Sequence, residues 1–72
     1  MSKSNITIDV EFLVGTGIED AIKEAKSRAF FWGVAYVRFS FNQRYLSIGG
    51  DADVEDTVYQ YHNSKLKHIV SA

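Results

Sequence analysis

The side chains of this chain that could move protons or hold a metal ion are two histidines, His62 and His68, and nine carboxylates. General acid–base work needs such a group within reach of a substrate, with its pKa drawn toward neutrality. Metal binding needs several donors converging at fixed spacing. The histidines stand six residues apart, which does not stack them on a helix, and with no cysteine the chain has no pair at metal-ligand spacing. Asp51, Asp53, Glu55 and Asp56 make an acidic run, but it lacks the glycine and terminal glutamate of a calcium loop. The field at a helix start accounts for it. Gly15-Thr16-Gly17 could cradle an anion on free amides, yet no Lys-Ser/Thr pair follows and the dinucleotide fingerprint is incomplete. No Ser, His and Asp arrangement stands out, and a chain this short has little room for a water-excluding pocket. The expectation is a protein that is not an enzyme, with no cofactor and no metal. His62, beside Tyr61 and Leu66 at helical spacing, is expected to be a partly buried structural histidine.

The elements that would place these groups follow from periodicity. Trp32 to Phe41 forms the central strand, with Ala35, Val37, Phe39 and Phe41 on one side and Tyr36, Arg38 and Ser40 on the other. Asn5 to Val14 alternates in the same way: Ile6, Ile8, Val10, Phe12 and Val14 face Thr7, Asp9 and Glu11 across the strand, and Leu13 breaks the polar side. Thr16 and Glu19 have capping-box spacing, so a helix begins after the glycine turn. Its inner stripe is Ile18, Ala21, Ile22, Ala25, Ala29 and Trp32, and Gly33 is its stop. Phe30 and Phe31 cannot both share that stripe, so at least one ring leans outward or over the sheet edge.

Beyond Phe41 the chain returns as Tyr45 to Gly49. A two-residue loop, Asn42-Gln43, sets Phe41 against Arg44, Phe39 against Leu46 and Val37 against Ile48; a four-residue loop keeps the same faces, and both lengths stay open. After Gly49-Gly50, Asp51 or Asp53 caps a second helix with Val54, Val58 and Tyr61 inside, running to about Asn63 and extended by Leu66 if the helix continues. Residues 65–70 are either helix or a short edge strand. The fold is therefore α+β, a single domain over residues 1–72: βαββα, or βαββαβ in the ferredoxin-like manner, with both helices on one face. The other face is expected to be open and to present Thr7, Asp9, Glu11, Tyr36, Arg38, Ser40, Tyr45 and Ser47.

Composition narrows the function. Hydrophobic residues make up 46% and aromatics 14%, enough for a packed core, so disorder is not expected. A domain of this size buries only about 60% of its unfolded surface, so ten large rings cannot all be hidden, and the surplus points to an interface or a homodimer. The net charge of −1 supplies no general field for nucleic acid. Without cysteine, a reducing, cytoplasmic setting is expected. The polar start Met1-Ser2-Lys3-Ser4, with no apolar run near the roughly 18 residues of a membrane span, suggests a soluble, unprocessed chain. The candidate binding residues are Tyr36, Arg38, Tyr45, Ser47, Phe30 and Phe31, types that anchor interfaces, and the expected partner is a protein.

Two resemblances add to this. Gly33-Val34-Ala35-Tyr36-Val37-Arg38-Phe39 resembles the core strand motif of RNA-recognition domains, with departures at Val34, at Trp32 and, on the first strand, at Thr7. It implies base stacking on Tyr36, and with Arg38 and Tyr45 it makes single-stranded nucleic-acid binding the alternative function. The run Val37-Arg38-Phe39-Ser40-Phe41-Asn42, the returning strand to Ile48 and Tyr61-His62-Asn63 are similar to small uncharacterised proteins encoded by bacteriophages and prophages, although Gln43 stands where those have glycine. That likeness implies expression inside an infected bacterium and an accessory or inhibitory role through contact with a host protein. It brings no catalytic residues.

Overall fold

The structure, a computed structural model, describes residues 6–12 and 15–71. Its elements are β1 (Thr7–Asp9), α1 (Ile18–Trp32), β2 (Tyr36–Phe41), β3 (Arg44–Ile48), α2 (Val54–Asn63) and β4 (His68–Ser71). Among the described residues two helices pack on a four-stranded mixed sheet, an α+β arrangement in which the tail takes the strand alternative. The strands lie side by side in chain order: β1 parallel to β2, β2 antiparallel to β3, β3 parallel to β4. This is not the ferredoxin-like interleaving, in which another strand splits each parallel pair; here each crossover joins immediate neighbours. The two parallel pairs run in opposite directions while both helices pack together on one face. The two crossovers are therefore of opposite hand, and one takes the uncommon left-handed form.

Register follows from the hairpin. Its loop has two residues, Asn42 at φ 51° and Gln43 at φ 66°, the paired left-handed conformation whose twist suits the flanking strands. Phe41 therefore meets Arg44, Phe39 meets Leu46 and Val37 meets Ile48. Alternation then turns Val37, Phe39, Leu46, Ile48 and Ile69 toward the helices, where all are buried. Each large side chain so buried contributes roughly 1.5–3 kcal/mol. Ala21, Ala25 and Ala29 are buried too and let α1 lie close on the sheet. Gly50 allows a further close approach, since a Cβ there would stand 3.1 Å from the Phe30 Cα.

Several boundaries differ from the sequence reading. β1 is short, although its ladder continues through the Ile6 carbonyl, which accepts from the Ala35 N–H, and the Val10 N–H, which donates to the Arg38 carbonyl. Asn5, Leu13 and Val14 lie outside the described residues. Phe12 packs edge-on against Phe39 at 5.0 Å, so the apolar side of this stretch faces the core as expected. The N-cap of α1 is Gly17 and makes no side-chain bond, so the Thr16–Glu19 capping box does not form; Glu19 instead pairs with Lys23 at 3.0 Å. Gly33 ends α1 at φ 67°, its N–H reaching the Ala29 and Phe30 carbonyls. The chain reverses there, Val34 is buried at this end of the core, and Trp32 stays 44% exposed rather than joining the inner stripe. β2 consequently starts at Tyr36, not at Trp32. Asp53, not Asp51, caps α2 and accepts from the Asp56 N–H at 3.0 Å. Leu66 lies past the end of α2, exposed, and so extends no stripe. No described helix is long and apolar enough to cross a membrane.

Candidate functional site

The register brings the expected surface residues into rows on the face the helices leave uncovered. Thr7 stands beside Tyr36; Asp9, Arg38, Ser47 and Val70 form a second row; Ser40, Tyr45 and His68 form a third. Tyr36 and Tyr45 thus share this face, although Tyr36 is half-buried while Tyr45 is 54% exposed. Arg38 is held by Asp9 through both carboxylate oxygens, the second contact being Nη2 to Oδ2 at 3.0 Å, and its guanidinium lies 6.0 Å from the Tyr45 ring centroid. The bonds from Arg38 hold the Asp9 carboxyl below the ordinary carboxylate value, and those to Asp9 raise the Arg38 guanidinium in turn.

Ser47 corrects the sequence reading. It sits on the uncovered face, but its neighbours leave it only 5% exposed, and its hydroxyl is bonded to the His68 Nε2 at 2.8 Å. It cannot serve as an exposed contact. A hydroxyl bonded to an imidazole has the spacing of a nucleophile and base, yet the two lie on an uncovered sheet, and no described carboxylate bonds the other ring nitrogen. His62 differs as well: it is exposed at the end of α2, its ring edge-on to Tyr61 at 5.4 Å, rather than partly buried. Among the described residues no three His, Cys, Asp or Glu side chains converge to hold a metal ion.

The other sequence candidates, Phe30 and Phe31, stand apart from the sheet face at the C-terminal end of α1. Their exposures are 75% and 85%, higher than any other large apolar side chain described, and Trp32 adjoins them. The Phe30 backbone lies close to Gly50, while its ring stands exposed. Its ring borders an open groove of about 530 Å³ between α1 and the start of α2, lined also by Lys23, Lys26 and Val54. Arg28 sits between the Trp32 and Phe12 rings, 5.9 and 5.4 Å from their centroids.

Sequence reasoning missed Arg44. Its guanidinium donates to the carbonyls of Tyr61, Ser64 and Leu66 at 2.7, 2.8 and 2.9 Å and lies 4.5 Å from the Tyr61 ring centroid. It closes the C-terminal end of α2, where unpaired carbonyls attract a cation. The available signal was the absence of Lys or Arg from the last turn of α2. With Arg28 on Glu24 at 3.3 Å and Arg38 on Asp9, all three arginines of the chain are occupied within it. Compared with known proteins, the chain matches no family model, and neither a curated protein nor a solved structure matches it significantly.

Proposed function

We propose that this chain is a non-enzymatic module that binds another protein, with Phe30 and Phe31 as its apolar anchor and the uncovered sheet face, led by Tyr45 and Arg38, as a lesser contact surface. The observation that carries this reading is the exposure of two adjacent phenylalanines, 75% and 85%, on a formed helix whose other side is fully packed. Rings held on a rigid element, with little side-chain entropy left to lose, are the groups that dominate protein interfaces. Occupied arginines speak against nucleic acid, because phosphate binding draws on free cations. The likeness to phage-encoded proteins supports a cytoplasmic accessory or inhibitor acting on a bacterial host protein.

The test is capture from a bacterial lysate by the wild-type chain, followed by affinity measurement on the purified partner. Phe31→Ser together with Phe30→Ser should weaken binding by at least tenfold with the melting temperature unchanged, since neither ring belongs to the core. Tyr45→Ala or Arg38→Ala should weaken it by less. Equal binding by the double serine variant would end the assignment of the anchor. Fluorescence anisotropy with labelled single-stranded oligonucleotides tests the alternative: binding that falls steeply with salt and is lost in Tyr36→Ala would replace a protein partner with nucleic acid.

A further inference from the structure

The sheet has two edges, β1 and β4, and they are of opposite charge. At β4 the segment from Ser64 to Ser71 holds Lys65, Lys67 and His68 and no acid. Along β1 the alternate positions are Thr7, Asp9 and Glu11. Among the described residues Lys65, Lys67 and Glu11 make no ion pair, and Asp9 is the partner of Arg38.

The backbones of both edges are turned in matching phase. The Tyr45 and Gly49 N–H groups donate to the Lys67 and Ser71 carbonyls, so those residues address β3 while the N–H and C=O of His68 and Val70 point away from the sheet. On the opposite edge Ile6 and Val10 bond β2, which leaves Thr7 and Asp9 pointing away. At each edge the outward residues are those whose side chains lie on the uncovered face. Antiparallel pairing sets outward residues directly opposite one another with side chains on the same side. Joining β4 of one copy to β1 of another would therefore continue one sheet with every helix on the same side. β1 and β4 are antiparallel within each copy, so simple repetition along the sheet supplies the required direction.

We propose that copies of this chain join head to tail, the β4 edge of one pairing antiparallel with the β1 edge of the next. In that register His68 stands on the same side as Asp9 and Glu11 of the neighbouring β1, while Lys67, one residue earlier and so on the covered side, lies at the same end of the joint, close enough for salt-dependent attraction to those acids. The symmetric β1–β1 pair sets the carboxylates of Asp9 and Glu11 against those of the other copy, whereas a symmetric β4–β4 pair puts the basic start of each strand against the uncharged end of the other, with no acid to meet. A head-to-tail contact does not close on itself at two copies and extends into longer assemblies. This surface is distinct from the aromatic end of α1, and the proposal stands independently of the protein-binding reading.

Sedimentation velocity over a rising concentration series, in low and high salt, tests it. The wild-type chain should grow past two copies in low salt and shrink toward monomer in high salt. Val70→Pro removes only an outward N–H, which an edge strand tolerates, and should sediment as a monomer with its thermal transition retained. Glu11→Lys alone, or Lys65→Glu with Lys67→Glu, should lose the growth, and the three substitutions combined should restore it by swapping both charges. A wild-type chain that is monomeric throughout, growth that stops at two copies, or unchanged assembly of Val70→Pro would each overturn the proposal.

Discussion

The two faces of the sheet satisfy their polar groups in different directions. On the covered face the bonds run between layers: Arg44 reaches from β3 to the end of α2, and Thr57 reaches from α2 to Ser71 on β4. On the uncovered face they run sideways within the sheet, Asp9 to Arg38 and Ser47 to His68. Bonds between layers determine where a helix sits, whereas sideways bonds dress a surface whose strands are already paired. The uncovered face is thus largely complete without a partner, and the rings at the end of α1 are not. This contrast puts the protein-binding anchor at Phe30 and Phe31 rather than at Tyr36.

The contrast is broken most directly at Arg44. Arg44→Ala leaves three carbonyls at a helix end without their donor and should cost about 2–3 kcal/mol in chemical denaturation. Arg44→Lys should recover less than half, because one ammonium cannot span the carbonyls of Tyr61, Ser64 and Leu66 as a planar fork does. A loss under about 0.5 kcal/mol would mean that the end of α2 is held by packing alone.

Next in size is a matched pair of hydroxyl deletions. Thr57 is fully buried; its Oγ1 donates to the Asp53 carbonyl at 2.7 Å and shares a 2.8 Å bond with the Ser71 Oγ. Thr57→Val should cost about 1–2 kcal/mol, since it leaves the Ser71 hydroxyl without its partner between the layers, although the Asp53 carbonyl keeps the Thr57 N–H. Ser47→Ala removes a hydroxyl nearly as buried, but its partner His68 is exposed and can turn to water, so the cost should stay below about 1 kcal/mol. Equal losses in thermal denaturation would erase the distinction between the faces.

How much of this was legible in the sequence depends on range. Alternation along Val37, Phe39, Leu46 and Ile48 is a local property and revealed the covered face, with both helices on it. The tail was ambiguous because Lys65 to Val70 has both a helical and an extended reading, and only pairing with β3 resolves it. Strand order, the sideways bonding of Ser47 and the reach of Arg44 depend on residues distant in sequence, which no window contains. Phe30 and Phe31 were legible as surplus rings, but the approach of Gly50 to the Phe30 backbone, twenty residues on in the chain, was not. Gln43 shows local preference overridden: register demands a left-handed residue there, and the chain supplies one without glycine. Gln43→Gly should relieve that conformation and raise stability by about 1 kcal/mol while touching neither face. An unchanged or lowered melting temperature would show the loop to be unstrained.

The smallest effect belongs to Asp9 and Arg38, an exposed pair whose salt-screened contact adds little to global stability. Its signature is local and dependent on pH. The bonds from Arg38 depress the Asp9 carboxyl below its ordinary value of 3.8 in the folded chain. A group whose folded pKa is depressed binds its proton more readily when unfolded, so its contribution is full above the ordinary carboxylate range and is lost as pH falls through the depressed value. Carboxyl NMR titration should place the Asp9 midpoint below 3.8 in the wild-type chain and return it toward that value in Arg38→Ala. Over the same acid range, amide exchange should quicken along β1 and leave β3 unaffected, because the sideways bond ties only the first edge strand to its neighbour. A midpoint unmoved by Arg38→Ala would show the pair to be open in solution, freeing Arg38 for a partner and returning the uncovered sheet to equal standing with the end of α1.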